Sequence, residues 1–375
     1  MKNKSPYSFL SMLSALIALA LIAAACGSSG SDDAPTASAD TTDTSAETAE
    51  TAETEDASAE DGTVTLITHD SFAISPETLE AFTAETGIAV EQLASGDAGQ
   101  MVSEAILTAG NPIGDVMFGI DNTFLQRGLD ASIFSAYESP NLVNVPEEFQ
   151  LDSTNQVTPI DYGDVCANFW ISELDGPPPT SLDDLIDPAY RDQFVTENPE
   201  TSSPGLAFLL ATIARYGDGW EDYWTALREN GVVITAGWED AYYGEFIAGG
   251  GTRPIVTSYA SSPPAEVIFA DPPVDVAPTG VLLDSCFRQI EFAGVLEGSD
   301  NVEGAQALID FMLTPTFQED VPLNMFVFPV HEGAELPAEF VEHAQIADNP
   351  LSLDPAVIEE NRNAWTERWV ELVLR

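Results

Sequence analysis

The segment VTLITHDSFAISPETLEAFTAETGIAVEQL, residues 64–93, contains one complete strand–helix–strand unit. Its first apolar run, residues 64–68, predicts a strand, and Ser75 followed by Pro76 predicts a helix that ends at Gly87. A second strand is predicted over residues 88–93. Because strands joined by a helical crossover lie parallel in one sheet, this segment predicts an α/β fold.

The same alternation continues after this unit. Residues 99–109 predict a second helix and residues 115–120 a third strand. Ligands of open α/β sheets bind beyond the carboxyl ends of the strands. At those ends the chain has Asp70 with Ser71, then residues 95–99, then Asp121. We therefore expect these polar residues on one rim of a binding site.

The second half of the chain predicts an opposing rim of different chemistry. Ser203 and Pro204 are typical of a helix start, whose free N–H groups suit a phosphate, a carboxylate or a hydroxyl. A plain helix cap accounts for these two residues equally well. Trp238 and Tyr259 follow predicted strands, where they either offer stacking faces to a flat ligand or pack against the core.

The charge of the chain excludes two classes of partner. Its 375 residues include 63 Asp and Glu against 11 Lys and Arg, which gives a net charge of −52. A surface this acidic lacks the clustered Lys and Arg that nucleic acids and anionic lipids require. Adaptation to a salty medium and a generally acidic exported proteome both account for the charge.

The N-terminal residues predict export. Residues 1–26 have a basic start, a short apolar run and small residues before a cysteine, as in a secretory signal peptide. The three small residues before Cys26 resemble a bacterial lipobox, which implies a lipid on this cysteine. An ordinary signal with an incidental cysteine is the alternative. Residues 27–62 are acidic and contain no aromatic residue, so they predict a disordered tether.

Two further cysteines, Cys166 and Cys286, lie in stretches that resemble strands. Export places them in an oxidising compartment, where a disulfide is the expected state of such a pair. Two buried free thiols are the alternative interpretation.

The sequence contains no pattern that predicts catalysis. Its three histidines lack the spacing of a zinc site, and it has neither a nucleophile elbow nor a phosphate-binding loop. We therefore expect a protein that is not an enzyme and that requires neither a metal nor a cofactor.

Seven motifs along residues 63–375 resemble those of the thiamine-binding proteins of bacterial ABC importers, and they occur in the same order. They are THDSF (68–72), DVMFGIDN (115–122), PIDYG (159–163), TSSPGL (201–206), GWEDAY (237–242), SYASSP (258–263) and RNAWTERW (362–369). The resemblance implies a two-lobed type II periplasmic-binding fold, in which each lobe is a mostly parallel sheet flanked by helices and the ligand lies in the interlobe cleft. One lobe is expected to comprise residues 63–165 and 282–330, and the other residues 166–281 and 331–375.

The resemblance also implies a set of ligand contacts. Transferred position by position, they are Ala98, Gly99, Ser202, Ser203, Trp238, Tyr259, Ala260, Ser261 and Ser262. Asp70, Ser71 and Asp121 lie in matching motifs on the facing rim, and Tyr242 and Phe326 add aromatic walls. The chain has His69 where the family has Tyr and Phe326 where it has Trp, and an extra residue near Ala98 allows that part of the alignment to shift by one.

Thiamine joins a flat aminopyrimidine to a thiazolium cation, which suits aromatic faces and carboxylates. The resemblance thus implies a monomeric, lipid-anchored receptor that passes thiamine or its phosphates to ABC permease subunits in the membrane. The alternative is another cargo on the same fold, either a small organic cation such as a polyamine or ferric iron. Iron would use the adjacent Tyr242 and Tyr243, because hard oxygen ligands suit that metal.

Overall fold

The structure is a computed structural model that describes residues 62–375, and its ten strands form one sheet. The predicted signal peptide with Cys26, and the predicted tether up to residue 61, lie outside the described residues. Among the described helices, none is long and apolar enough to cross a membrane.

Strands and helices alternate through most of the described chain. The strands are β1 (Thr63–Thr68), β2 (Ala89–Ala94), β3 (Val116–Asp121), β4 (Phe134–Ser135), β5 (Thr158–Trp170), β6 (Phe194–Glu197), β7 (Val233–Thr235), β8 (Ile255–Tyr259), β9 (Thr279–Leu296) and β10 (Phe328–Pro329). The helices are α1 (Pro76–Thr86), α2 (Ala98–Leu107), α3 (Leu125–Asp130), α4 (Ser203–Tyr216), α5 (Trp220–Glu229), α6 (Pro263–Ile268), α7 (Val302–Met312), α8 (Pro315–Gln318), α9 (Val321–Asn324), α10 (Ala338–His343) and α11 (Pro355–Val373).

The predicted strand–helix–strand unit is present, within one residue of the predicted boundaries. β1 pairs in parallel with both β2 and β3. The hydroxyl of Ser75 accepts a hydrogen bond from the backbone N–H of Thr78 at 3.3 Å, and Pro76 begins α1. Gly87 ends the helix with a φ of 76°, a conformation that glycine adopts without a steric penalty.

The second half of the sheet repeats this arrangement, since β6 pairs in parallel with β7 and β8. The predicted cap of α4 is wrong by one residue. Ser202 is the cap, and its hydroxyl accepts from the N–H of Gly205 at 3.4 Å, whereas Ser203 is the first helical residue. The N–H of Ser203 instead donates to the side chain of Asp97, which belongs to the other half of the molecule.

Two long strands join the halves. The strand order is β2-β1-β3-β9-β5-β8-β6-β7, so β9 and β5 lie side by side in the middle. They pair antiparallel, and each also pairs antiparallel with the outer strands next to it. Each half therefore has parallel outer strands around an antiparallel centre.

The Cys166–Cys286 disulfide lies where the pairing of β5 with β9 changes register. Val165 is opposite Phe287 and Ala167 is opposite Leu282, so β9 bulges between these two pairs. The disulfide joins β5 to the bulged segment and closes a sequence separation of 120 residues.

We expect this disulfide to stabilise the protein. In the chain-entropy description, a loop of this length contributes about 4–5 kcal/mol. In a Cys26→Ser background, alkylation before reduction should modify no thiol, and alkylation after reduction should modify two, as counted by intact mass. The Cys166→Ser/Cys286→Ser variant should melt at a lower temperature than its parent. Two thiols that alkylate without a reductant would contradict the bridge.

Candidate functional site

A cavity of about 830 Å³, counted to its open mouth, lies between residues that follow strands of the two halves. One side is formed by residues 69–73 after β1, and the other by residues 238–239 and 242–243 after β7. Tyr259 at the end of β8, Glu291 of β9 and residues 324–327 complete the wall. The cavity therefore lies beyond the carboxyl ends of β1, β7 and β8, as the sequence predicts.

One wall is a fixed aromatic surface. The ring of Trp238 stacks on that of Tyr242 with centroids 4.9 Å apart, and the edge of Tyr243 meets it at 5.5 Å. The indole N–H of Trp238 donates to the hydroxyl of Ser258 at 3.0 Å, which fixes the ring orientation. Both tyrosines belong to a π-helical turn, Asp240–Glu245, a local geometry often found at functional sites.

Tyr259 and Phe326 face the cavity from other elements. Gly163 of β5 leaves room for the tyrosine, because a Cβ at this position would come within 2.9 Å of its ring. Phe326 has a φ of 56°, and its ring meets the edge of Phe269 at 6.0 Å. A residue of this size in the left-handed region indicates strain that the surrounding structure holds in place.

Asp97 connects the two halves at the base of the site. Its carboxylate accepts from the backbone N–H groups of Trp238 at 2.9 Å and Ser203 at 3.3 Å, and from its own neighbour Ala98 at 2.6 Å. Burial raises the pKa of Asp97 to about 6, although hydrogen bonds from Trp238, Ser202 and Ala98 act to lower it. The N-terminus of α4, predicted to hold a polar group of the ligand, is therefore occupied by a side chain of the protein.

A row of three buried carboxyl groups lies under the cavity. Asp121 of β3, Glu291 of β9 and Asp161 of β5 are opposite one another in the sheet, and all three are buried. Burial raises the pKa of Asp121 to about 6 and that of Asp161 to about 7. Burial also raises the pKa of Glu291 well above its usual value, and Asp161 raises it further. We call these residues the carboxyl row.

His69 lies beside this row as a neutral ring. Burial lowers its pKa to about 4, so it carries no charge at pH 7. Its Nε2 atom is 3.5 Å from Oε1 of Glu291, which is too long for a hydrogen bond. His69 and Glu291 are therefore in polar contact, without an ion pair or a hydrogen bond between them. The other ring nitrogen lies 3.0 Å from the hydroxyl of Ser71.

The mouth of the cavity is acidic as well. Asp70 and Glu239 line it, and Asp240 lines an adjoining recess. Partial burial raises the pKa of Asp70, and repulsion from Asp240 adds to this. Partial burial likewise raises the pKa of Glu239, with repulsion from Asp70 as the next cause. The arrangement attracts cations and repels anions.

Comparison with known proteins identifies the family. A family model described as bacterial extracellular solute-binding protein matches residues 111–361. A thiamine-binding periplasmic protein of Salmonella typhimurium is 30% identical over 317 residues, which cover 83% of this chain and 94% of that protein. This chain belongs to the bacterial extracellular solute-binding proteins. The corresponding protein of Escherichia coli is 29% identical with the same coverage.

Solved structures agree with this assignment. A periplasmic thiamin binding protein has a TM-score of 0.75 and 28% identity, and the match covers 84% of this chain and 96% of that chain. The iron-bound HitA of Pseudomonas aeruginosa, with a TM-score of 0.68 and 21% identity, shares the fold. The predicted periplasmic-binding fold of this solute-binding protein is confirmed.

Half of the predicted contacts line the main cavity, and the other half do not. Those that line it are Asp70, Ser71, Trp238, Tyr242, Tyr259, Ser262 and Phe326. Ser203 reaches an adjoining recess of about 220 Å³. Those that line neither space are Ala98, Gly99, Asp121, Ser202, Ala260 and Ser261, all of them buried.

The sequence reasoning placed Asp97 on the predicted rim of residues 95–99 without naming it as a contact, and it missed two further acidic residues of the site, Glu239 and Glu291. A signal for the last of them was present, because Gln289 and Glu291 alternate with apolar residues in a segment that becomes a central strand. Polar residues two positions apart lie on one face of a strand. Nothing local distinguishes Asp97 from its neighbours on the predicted rim, because its partners Ser203 and Trp238 are more than 100 residues distant.

We expect the unliganded protein to lose stability as the pH rises from about 4 to about 7. The folded pKa values of Asp97 and Asp121 are about 6 and that of Asp161 is about 7, against 3.8 for an ordinary Asp. Each such group stabilises the fold fully below its unfolded pKa, and this contribution is lost as the pH rises through the folded pKa. Melting temperatures at constant ionic strength measure the effect. The Asp161→Asn variant should show a smaller slope, and a flat or rising wild-type profile would contradict the expectation.

Proposed function

We propose that this solute-binding protein captures thiamine or a thiamine phosphate and delivers it to the permease subunits of an ABC importer. One observation carries the proposal: the stacked pair Trp238 and Tyr242 faces the same cavity as Glu291 of the carboxyl row. A flat organic cation is the ligand that requires both an aromatic face and a nearby carboxylate. The names of the relatives, which are binding proteins and not enzymes, support the same cargo.

The polar groups of the cavity fit this ligand. Ser71 and Ser262 contribute hydroxyl groups to its wall. Asp70 and Glu239 at the mouth would attract the cation before it reaches the aromatic wall.

The tyrosine pair is poorly arranged for ferric iron. The hydroxyl of Tyr242 donates to Glu266 at 2.7 Å, and Tyr242 is buried. Burial and this glutamate raise the pKa of Tyr242, which opposes the phenolate that iron requires. Tyr243, by contrast, is 56% exposed, so the two side chains do not present matched oxygen ligands.

We further propose that the lobes have the expected boundaries, residues 63–165 with 282–330 and residues 166–281 with 331–375, and that the protein acts as a monomer. β5 and β9 then carry two of the three crossings between the lobes, at residues 165/166 and 281/282, and the third crossing follows β10 at residues 330/331. α11 belongs to the second lobe in this division, which its contact with α5 through Trp369 and Trp224 supports, with centroids 5.3 Å apart.

Export and lipid attachment at Cys26 complete the proposal. The wild-type chain, expressed in a bacterium that processes lipoproteins, should enter the detergent phase on Triton X-114 partition. The Cys26→Ser variant should remain in the aqueous phase, because it has no thiol to carry the lipid. An acyl chain contributes about 0.8 kcal/mol per buried methylene to membrane binding, and the variant loses this contribution. Equal partition of both proteins would contradict the anchor without affecting the proposed ligand.

Trp238 provides the main test of the proposed ligand. Its replacement by Ala removes a stacking face, so thiamine affinity should fall by about 2–4 kcal/mol, or roughly 30- to 1000-fold. Trp238→Phe should recover part of this loss, since a smaller aromatic face remains. Isothermal titration calorimetry with thiamine and with each of its phosphates measures these changes.

Trp365→Ala is the matched control. Trp365 is half-buried in α11 and packs on the main core, away from the cavity. Its loss should lower the melting temperature and leave thiamine affinity within about twofold of wild type.

Undiminished binding by Trp238→Ala would remove the stacking model. A visible absorption band with ferric salt, and no heat with thiamine, would favour the iron alternative instead.

A further inference from the structure

Glu291 occupies the middle of the carboxyl row and is its only member that lines the cavity. In the pairing of β9 with its neighbours, Glu291 is opposite Asp121 on one side and Asp161 on the other. Side chains directly opposite across paired strands have Cβ atoms about 4.5–5.5 Å apart. Three acidic groups are therefore held close together by the backbone of the sheet itself.

The row lacks a permanent cation. Lys is absent from residues 62–375, and Arg288, three residues before Glu291, is paired with Asp164. Consecutive residues of a strand point to opposite faces, so Arg288 and Glu291 lie on different faces of β9. Among the described residues, no N–H group or hydroxyl donates to either carboxyl oxygen of Asp161 or to one of those of Asp121. A proton shared with Glu291 joins Asp161 to the row, and no basic side chain balances these carboxyl groups once they ionise.

Every other group that faces Glu291 is neutral or acidic. Besides its two partners in the row, these groups are His69 after β1, Asp97 before α2 and Tyr259 of β8. His69 is neutral because burial lowers its pKa to about 4, and burial raises the pKa of Tyr259 well above 10. Without a ligand, the row therefore avoids its own repulsion by retaining protons.

We propose that Glu291 determines specificity for a permanently charged ligand, and that capture of this cation expels one proton from the carboxyl row. The inference rests on the proposed function and extends it to the part of the ligand that is recognised. The balance is simple: a cation enters, the proton shared by Glu291 and Asp161 leaves to solvent, and no bond within the ligand changes. The carboxylate then faces a charge that cannot be lost by deprotonation.

The sign of the pH dependence follows from this exchange. Because a proton is a product of binding, affinity should rise with pH while the free protein still holds the proton. For one proton the increase is about tenfold per pH unit. Asp161 has a pKa of about 7, so the rise should fall between about pH 5.5 and 7.5 and then level off. The acidic mouth contributes mainly to the association rate.

The test uses two ligands that differ only in charge. Thiamine carries the thiazolium cation, and its isostere with carbon in place of the ring nitrogen has a neutral thiophene. Wild type should bind thiamine about 10- to 100-fold more tightly than the isostere. Calorimetry in buffers of different ionisation enthalpy should show release of about one proton with thiamine at pH 6.5, and almost none with the isostere.

Two variants separate the roles within the row. Glu291→Gln should abolish both the preference for the cation and the proton release. Asp161→Asn should keep the preference and reduce the proton release, because Glu291 with one acidic neighbour fewer ionises more readily before the ligand arrives. Glu197→Gln is the matched control: Glu197 is fully buried, with a pKa that burial raises, and it lines no described part of the cavity. Both properties should be unchanged in this variant.

The outcomes are distinguishable. Failure of wild type to bind thiamine would overturn the proposed function. Binding of thiamine with equal affinity for the neutral isostere, or without proton release, would overturn only the role of Glu291. If Glu291→Gln does not fold, as judged by its melting curve, the wild-type ratio, the wild-type proton release and the Asp161→Asn variant still decide the question.

Discussion

The pairing of β5 with β9 is the constraint on which the rest of the structure depends. These strands, of 13 and 18 residues, are the longest in the described chain, and both run through the middle of the sheet. Their register sets Asp161 against Glu291, and it shifts at the position where Cys166 is joined to Cys286. A one-residue slip would turn every side chain of a strand to the other face. The pairing therefore fixes both the connection between the halves and the floor of the cavity.

The buried acids of this floor differ in kind from the acidic surface. Most acidic residues of the described chain are exposed, where water and salt screen their charge. The charges of Asp121, Asp161 and Glu291 would be screened much less because these side chains are buried. Burial raises the pKa values of all three, and repulsion from the neighbouring acids raises that of Glu291 further, so the row retains protons. A buried lysine or arginine would have neutralised the carboxyl row at lower cost to stability. It would also have paired with the carboxylates that a cationic ligand can otherwise bind. The absence of such a residue next to the cavity, within the described chain, is thus consistent with ligand binding rather than with stability.

Sequence reasoning was most successful where local patterns decide the structure. The Ser75–Gly87 helix signals, the parallel strands beside it and the aromatic wall of Trp238 all follow from residues close together in the chain. It was least successful for side chains that act across long separations. Ala98 and Gly99 were predicted as contacts, but the neighbouring Asp97 makes the polar contacts across the rims. A pattern of residue types does not reveal how far apart two lobes lie. Which of several adjacent loop residues makes the contact between them can therefore be read only from the three-dimensional structure.

The position of Asp97 also bears on the polar end of the ligand. A helix start attracts anions because its N–H groups lack partners, and the sequence predicts this role for the start of α4. Here the carboxylate of Asp97 already accepts from the N–H of Ser203, and the hydroxyl of Ser203 accepts from Gln289 at 2.9 Å. A ligand phosphate at the start of α4 would compete with the carboxylate of Asp97 for the N–H of Ser203, and the two anions would repel each other. The hydroxyl of unmodified thiamine brings no charge and meets no such repulsion. In this conformation the electrostatics of the helix start therefore favour a cationic ligand with an uncharged polar end.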